Sequence, residues 1–330
     1  MTIANRREFL QAALATLAAT KLGSSALAFQ EDTTEGLPTR PLGKTGEKIS
    51  ILGLGGYHIG TAEESEAISI MHEAIDNGLT FFDNSWDYNA GRSEEHMGKA
   101  LAESSWRDKV FLMTKVCARD YDGAKEQLED SLRRLQTDRI DLWQFHEINW
   151  DIDSEWIYDQ GGLDFALEAQ EAGKIRHIGF TGHKDPSHHL KMLETEYEWA
   201  SVQMPINCLD AHYRPFQKEV LPKCVEREIG VLGMKGLAGG VLPASLGISA
   251  ELCRRFALSL PISTLICGIR SREELRQDLA VGLDFQPVVE EELEKLLAET
   301  AEPGKDGAQE RYKTTRYGSA YHFKQHEDVE

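Results

Sequence analysis

The chain predicts a (β/α)8 TIM barrel, and three observations support this. Short apolar segments alternate with helical segments eight times between residues 49 and 281, and one more helical segment follows. The short segments are mostly apolar, as expected for parallel strands that are covered on both faces. The competing fold is a doubly wound Rossmann sheet, but residues 53–56 (Gly-Leu-Gly-Gly) lack the G-x-G-x-x-G spacing of that fold. Regular alternation in one domain of this length therefore favours the barrel.

Composition excludes some classes of partner. The 330 residues are 41% hydrophobic and carry a formal net charge of −19. So acidic a protein repels nucleic acid and anionic membrane surfaces, although one local basic pocket for a phosphate remains possible. We therefore expect no nucleic-acid or membrane partner.

The first 28 residues are expected to lie outside the fold. Arg6 and Arg7 precede Phe9-Leu10, a weakly apolar stretch and a small-residue ending at Ala26-Leu27-Ala28, which together resemble a twin-arginine export signal. The alternative is an ordinary amphipathic N-terminal helix. The signal predicts a periplasmic protein that uses the twin-arginine export machinery, or a cytoplasmic one if the signal is not used. We divide the chain into a signal peptide (1–28), a linker (29–38), a barrel (39–300) and a C-terminal tail (301–330).

The barrel elements are predicted in chain order from the spacing of apolar residues and from the glycines, prolines and capping residues between them. Two extended pieces around Gly43-Lys44-Thr45-Gly46 predict a hairpin, and the G-x-x-x-x-G-K-[ST] spacing of a phosphate loop is absent. The predicted strands are Ile49–Leu54, Leu79–Phe82, Val110–Lys115, Ile140–Phe145, Ile175–Phe180, Ser201–Met204, Gly230–Met234 and Thr264–Cys267. The predicted helices are 63–77, Ser93–Glu103, 122–136, Leu163–Ala172, Pro186–Leu193, Glu219–Glu228, Ser249–Leu258, Arg272–Val281 and Val289–Leu297. The tail has low apolar content, so it is expected either to lie across the barrel mouth or to be disordered.

The second strand ends in an acid and, five residues later, a phenol. Asp83 closes the apolar run Phe81-Phe82, and Tyr88 follows in a loop that leads to a helix with Ser93 as its expected N-cap. Catalytic groups of TIM barrels lie at the carboxyl ends of the strands. Either residue alone is most often structural, but an acid and a phenol held together there can transfer a proton.

The next two strand ends add a cation and an imidazole. Lys115 ends the third strand and needs a partner if buried, which Asp83 on the adjacent strand can provide. A lysine beside Tyr88 is expected to lower the pKa of the phenol and make it a better general acid. His146 follows the fourth strand, where it can hydrogen-bond the same substrate oxygen.

These four residues, with the signature FFD-x-x-x-x-Y…SEE-x-x-G-x-A-L around residues 81–101, resemble the aldo-keto reductase superfamily. The resemblance covers roughly residues 39–300. It implies a catalytic tetrad of Asp83, Tyr88, Lys115 and His146. It also implies reduction of a small-molecule aldehyde or ketone by hydride transfer from NADPH, with NADH possible, and with Tyr88 protonating the oxygen.

The resemblance also implies a set of cofactor-binding residues, some of which depart from the family pattern. Gly182 stands where the family has a carboxamide-binding Asn, and Ile206 stands where it usually has an aromatic that stacks on the nicotinamide. Met234-Lys235-Gly236-Leu237 matches the loop that contacts the pyrophosphate, and the loop after the eighth strand resembles the one that binds the adenosine phosphate. The implied cofactor contacts are Gly55, Gly56, Asp83, Thr181, Gln203, Lys235, Gly268, Arg270, Arg272, Gln277 and Asp278.

Other readings of the chain remain open. The odd number of cysteines without a C-x-x-C motif indicates buried free thiols rather than disulfides or a metal site. His183, His188 and His189 have no matched fourth ligand, so we predict no metal there. The altered cofactor residues keep a cofactor-sensing barrel with little turnover as the alternative function.

Overall fold

The computed structural model describes residues 36–102 and 105–329, so the predicted signal peptide and most of the predicted linker lie outside the described residues. Within that part of the chain, eight parallel strands close into a barrel in sequence order, which confirms the predicted fold. The barrel strands are β3 (Leu52–Gly55), β4 (Phe81–Asp83), β5 (Phe111–Val116), β6 (Ile140–Phe145), β7 (Ile175–Thr181), β8 (Ser201–Pro205), β9 (Gly230–Met234) and β10 (Thr264–Cys267).

The predicted hairpin closes the amino-terminal end of the barrel. Strands β1 (Thr39–Pro41) and β2 (Lys48–Ser50) pair antiparallel, and Leu42 and Ile49 are fully buried. These two side chains pack with apolar residues of the barrel interior, which are Phe81, Met113, Leu142 and Leu232. Because this end is plugged, the carboxyl ends of the strands form the open mouth.

Helices cover the outside of the barrel, and the longer ones between the strands place an apolar face toward the strands. The helix Tyr121–Leu135 is typical: the side chain of Asp120 caps its start, Leu128 and Leu132 face inward, and Gln136 ends it in a left-handed conformation. The helices before the tail are α1 (Gly56–Ile59), α2 (Glu64–Asp76), α3 (Arg92–Ala102), α4 (Tyr121–Leu135), α5 (Asp153–Asp159), α6 (Gly162–Glu171), α7 (Pro186–Leu193), α8 (Phe216–Glu219), α9 (Leu221–Glu226), α10 (Val241–Ser245), α11 (Ala250–Leu258) and α12 (Arg272–Leu283). No helix in residues 36–102 or 105–329 is long and apolar enough to cross a membrane.

The start of α3 differs from the prediction. Ser93 is the second residue of the helix rather than its N-cap, and its hydroxyl accepts a hydrogen bond from Asn89 Nδ2 at 2.9 Å. The helix begins at Arg92 because residues 88–91 already form a short 3₁₀ turn that leads directly into it.

The C-terminal chain lies across the barrel mouth, which decides between the two alternatives for the tail. Helix α13 (Glu290–Gly304) runs seven residues beyond its predicted end, and α14 (Arg311–Thr314) and α15 (Ala320–Gln325) follow. Lys313 anchors this segment, because its buried Nζ lies 2.6 Å from Asp210 Oδ1 and 2.9 Å from Glu310 Oε2. A buried ion network therefore holds a segment whose composition carries little hydrophobic signal.

Candidate active site

A buried ion pair joins two neighbouring barrel strands at the mouth. Lys115 in β5 pairs with Asp83 at the end of β4, and both side chains are nearly inaccessible to solvent. Lys115 Nζ also donates to the carbonyl oxygen of Asn84 at 2.7 Å. The pairing that the sequence predicts is therefore present, and it fixes the lysine amine at the barrel axis.

The phenol of Tyr88 lies next to this lysine. Its hydroxyl is 3.3 Å from Lys115 Nζ, and its ring is 5.5 Å from the His146 ring. The chain leaves Tyr88 through left-handed backbone, with φ of 53° at Asn89 and 57° at Ala90. Asn89 Nδ2 donates to the carbonyl oxygen of Tyr57 at 2.8 Å, which ties this turn to α1. The sharp turn therefore points Tyr88 back over the strand ends.

The electrostatics of Tyr88 differ from the expectation. Burial raises the pKa of Tyr88 well above its usual value, and the negative charges of Asp83, Asp87 and Glu147 raise it further. The ammonium group of Lys115, 3.3 Å from the hydroxyl, offsets these effects only in part. The phenol is therefore held in its protonated form, which is the form that a proton donor needs.

His146 completes the group and has polar neighbours of its own. Its Nδ1 lies 3.1 Å from Ser85 Oγ and 3.2 Å from Asp87 Oδ1. Burial alone would raise the pKa of Asp87, but the combined effects of His146, His322 and Ser85 outweigh burial and hold that pKa below its usual value. The structure therefore brings all four predicted tetrad residues together.

The tail adds site residues that were missed in the sequence. Tyr321 packs edge-on against Trp86 at 5.4 Å, and the His322 ring lies 5.5 Å from the His146 ring. Trp150 stacks on His326 with ring centroids 4.0 Å apart. The cluster of ring side chains Tyr321-His322-Phe323 was the sequence feature that could have indicated a buried segment. No local pattern, however, shows where such a segment docks.

Two of the predicted cofactor contacts lie beside the tetrad. Thr181 ends β7 and Gln203 lies in β8, and both side chains are buried. Gln203 Oε1 has no hydrogen-bond partner among the described residues. An unsatisfied buried acceptor is costly unless a ligand supplies a donor, which the carboxamide of a nicotinamide can do. The residues here therefore fit the nicotinamide end of NAD(P)H.

The two glycines after β3 are required for packing. A Cβ on Gly55 would lie 2.8 Å from the carbonyl oxygen of Cys267, and one on Gly56 would lie 2.5 Å from that of Asp83. Neither distance is tolerated without a backbone shift. The glycines therefore let the first βα turn approach the neighbouring strand ends, and their predicted contact with the cofactor stays a prediction.

Basic groups gather near the end of β10. The His58 ring covers Gly268, where an added Cβ would lie 2.3 Å from it. Burial lowers the pKa of His58, and the positive charges of Arg270 and Lys235 lower it further. Lys235 also lies 3.2 Å from the hydroxyl of Tyr317 in the tail. A local concentration of positive charge on so acidic a protein fits the phosphates of a dinucleotide.

The remaining predicted contacts have protein partners of their own. Arg272 pairs with Glu73, and Gln277 Nε2 donates to Glu273 Oε1 at 3.1 Å. Asp278 is buried and pairs with Arg254. The carboxylate of Asp278 therefore lies between α11 and α12 and does not face the mouth. Arg270, in contrast, is exposed at the mouth.

The sequence matches known proteins over most of the barrel. The Aldo/keto reductase family profile matches residues 51–247. An uncharacterized oxidoreductase of Bacillus subtilis, YqkF, is 30% identical over 278 residues, which cover 79% of this chain and 83% of that protein. Another, YrpG, is 34% identical over 228 residues, covering 61% of this chain and 67% of that protein.

Solved structures agree on the fold. The holo form of the aldo-keto reductase AKR11C1 from Bacillus halodurans superposes with a TM-score of 0.68 at 24% identity, covering 80% of this chain and 96% of that one. At this identity the likeness concerns the fold alone. The sequence matches, together with the barrel fold, show that this chain belongs to the aldo/keto reductase family.

Proposed function

We propose that the protein reduces an aldehyde or ketone to an alcohol with NAD(P)H, and that Tyr88 is the general acid. The observation that carries the proposal is the contact of Tyr88 with Lys115 and His146 at the mouth of an aldo/keto reductase barrel. Membership of that family supports oxidoreductase activity. The unsatisfied Gln203 Oε1 and the basic group around Arg270 support a nicotinamide dinucleotide as cofactor.

Each residue of the tetrad has a distinct task in this proposal. When bound, NAD(P)H would supply the hydride that the carbonyl carbon accepts. Tyr88 donates its hydroxyl proton to the carbonyl oxygen, and Lys115 stabilises the phenolate that remains. Asp83 holds the lysine amine in place, and His146 orients the carbonyl oxygen by a hydrogen bond. Gln203 and Thr181 hold the carboxamide end of the cofactor.

Loss of reduced-nicotinamide absorbance with a panel of aldehydes and ketones tests the reaction. Tyr88→Phe is expected to lower kcat by about 10²–10⁴-fold, which is the usual contribution of general acid–base catalysis. The matched control is Tyr197→Phe, because Tyr197 is half-buried against Trp199 away from the mouth. Full turnover in Tyr88→Phe would remove Tyr88 from the acid role, and cofactor binding without any turnover would favour the sensing barrel.

The choice of cofactor is tested by binding. We propose NADPH as the preferred form, since Arg270 is exposed beside the basic group and can pair with a 2′-phosphate. Arg270→Ala is expected to weaken NADPH binding and to leave NADH binding nearly unchanged. An equal loss for both cofactors would place Arg270 away from the 2′-phosphate.

We also propose export through the twin-arginine route, on the basis of Arg6 and Arg7 in the sequence. Changing both to Lys should retain the protein in the cytoplasm. Cell fractionation is the measurement, and unchanged export of that variant would contradict the proposal.

A further inference from the structure

Side chains that commonly bind metals meet where the tail covers the barrel mouth. Cys117 directly follows β5, His146 directly follows β6, and His322 lies in α15. One ligand atom from each of the three lies within 4.8 Å of the other two, and all three side chains are buried. The group therefore connects two strand ends of the barrel to the C-terminal tail.

His322 is not satisfied by the protein around it. Its side chain is fully buried, and neither ring nitrogen has a hydrogen-bond partner among the described residues. The Glu147 carboxylate lies 3.7 Å from Nε2, which is too far for a hydrogen bond. A buried imidazole without hydrogen-bond partners lowers the stability of the folded protein. A bound ligand on one of its nitrogens would remove this cost.

The distances suit a tetrahedral metal. Zinc lies about 2.3 Å from a thiolate and about 2.0–2.1 Å from an imidazole nitrogen, which places the two ligand atoms about 3.6 Å apart. Cys117 Sγ lies 3.7 Å from His146 Nδ1. The ligand nitrogen of His322 lies within 4.8 Å of both of these atoms. It therefore has to approach by only about 1 Å to complete a three-ligand set.

Two carboxylates lie beside the group, and a buried cation that contacts it, Arg119, is paired with Asp153. Asp87 Oδ1 lies 3.2 Å from His146 Nδ1, and Glu147 lies beside His322. Both carboxylates are largely buried, and a divalent cation would offset their charge.

We propose that Cys117, His146 and His322 bind a zinc-type divalent cation, with a water molecule in the fourth position. On binding, a sulfur–metal bond replaces the S–H bond of Cys117, and the proton leaves to solvent. The two imidazoles bind as neutral lone-pair donors. The cation then joins the tail to the barrel, since His322 lies in the tail and the other protein ligands lie at barrel strand ends. This site goes beyond the proposed reductase function, and its test does not depend on turnover.

Cobalt is the probe, because Co²⁺ takes the same tetrahedral sites and is coloured. Chelator-treated full-length protein is titrated with Co²⁺ and then with Zn²⁺. We expect one equivalent of Co²⁺ with tetrahedral visible bands and a thiolate-to-cobalt charge-transfer band, and displacement by Zn²⁺ but not by Mg²⁺. Zn²⁺ should also slow amide exchange in residues 311–325. Wild-type protein without the charge-transfer band would overturn the proposal, whatever the variants do.

Variants separate ligand loss from loosening of the tail. Cys117→Ser should lose the charge-transfer band, and His322→Gln should weaken Co²⁺ binding by at least about tenfold. Cys224→Ser is the matched control, because Cys224 is an equally buried thiol in α9. His326→Gln removes a ring that stacks on Trp150 but no ligand, so it should keep the band and the stoichiometry. Unchanged binding in His322→Gln would exclude the site.

Discussion

At the scale of single residues, the ion pair between Asp83 and Lys115 is the feature that most constrains the site. Both groups are buried, so neither charge is stabilised by water. Their pairing was predictable, because a buried lysine at a strand end needs an acid on the adjacent strand. The raised pKa of Tyr88 was not predictable, because it depends on Asp87 and Glu147, whose approach to the phenol only the folded chain shows.

Lys115→Met is expected to destabilise the protein by about 3–5 kcal/mol, because it leaves Asp83 as an uncompensated buried charge. Urea unfolding at neutral pH measures this free energy. The double variant Asp83→Asn/Lys115→Met is expected to recover much of the loss, since neither charge remains. A loss below about 1 kcal/mol in the single variant would mean that Asp83 is not effectively buried.

Ala90→Gly should stabilise the fold by up to about 1 kcal/mol. Ala90 has a left-handed conformation that a Cβ disfavours and that glycine adopts freely. Thermal unfolding measures the change, and Ala102→Gly at the end of α3 should have the opposite sign because it lies in ordinary helix. Destabilisation by Ala90→Gly would show that the turn is set by other contacts.

At the scale of elements, the strands were predictable and the tail was not. Each barrel strand is a short apolar run, and the observed bounds differ from the predicted ones by three residues at most. The tail carries no such pattern, because polar contacts distant in sequence hold it. Lys313 reaches Asp210, more than 100 residues earlier in the chain, and His326 Nε2 lies 2.9 Å from Asp153 Oδ1.

Lys313→Met should release the tail from the barrel. It leaves Asp210 and Glu310 as two buried acids without their cation, at a cost of about 3–5 kcal/mol. Hydrogen–deuterium exchange should then rise in residues 311–325 more than in the barrel strands. Lys305→Met is the control, because its pair with Glu302 is exposed and contributes little. Unchanged exchange in the tail would show that aromatic packing alone holds it.

At the scale of the whole molecule, stability should fall in mild acid. Burial lowers the pKa of His189 to about 3, whereas the unfolded chain has the ordinary value of 6.5. Between these two pH values, His189 binds a proton in the unfolded protein but not in the folded protein. The free energy of unfolding therefore decreases as pH falls from about 6.5 toward 3. The slope for this group is about 1.4 kcal/mol per pH unit.

His189→Gln isolates this contribution. Glutamine keeps an amide donor for the carbonyl oxygen of Gln203, which His189 Nε2 contacts at 3.3 Å, but it cannot be protonated. Urea unfolding between pH 7.5 and 4.5 should show a steeper acid loss in the wild type than in the variant. Parallel profiles would mean that His189 is charged in the folded protein.

The anchoring of the tail has a consequence for the order in which the protein is assembled during synthesis. The barrel strands all precede residue 268, and their hydrogen-bonded ladder closes without any residue of the tail. The tail follows the barrel strands in the chain, so it leaves the ribosome after them, and a barrel that folds early exposes its mouth to solvent until Lys313 pairs with Asp210. Docking of the tail then follows closure of the barrel, and it places His322 beside His146 only after both segments have been synthesised.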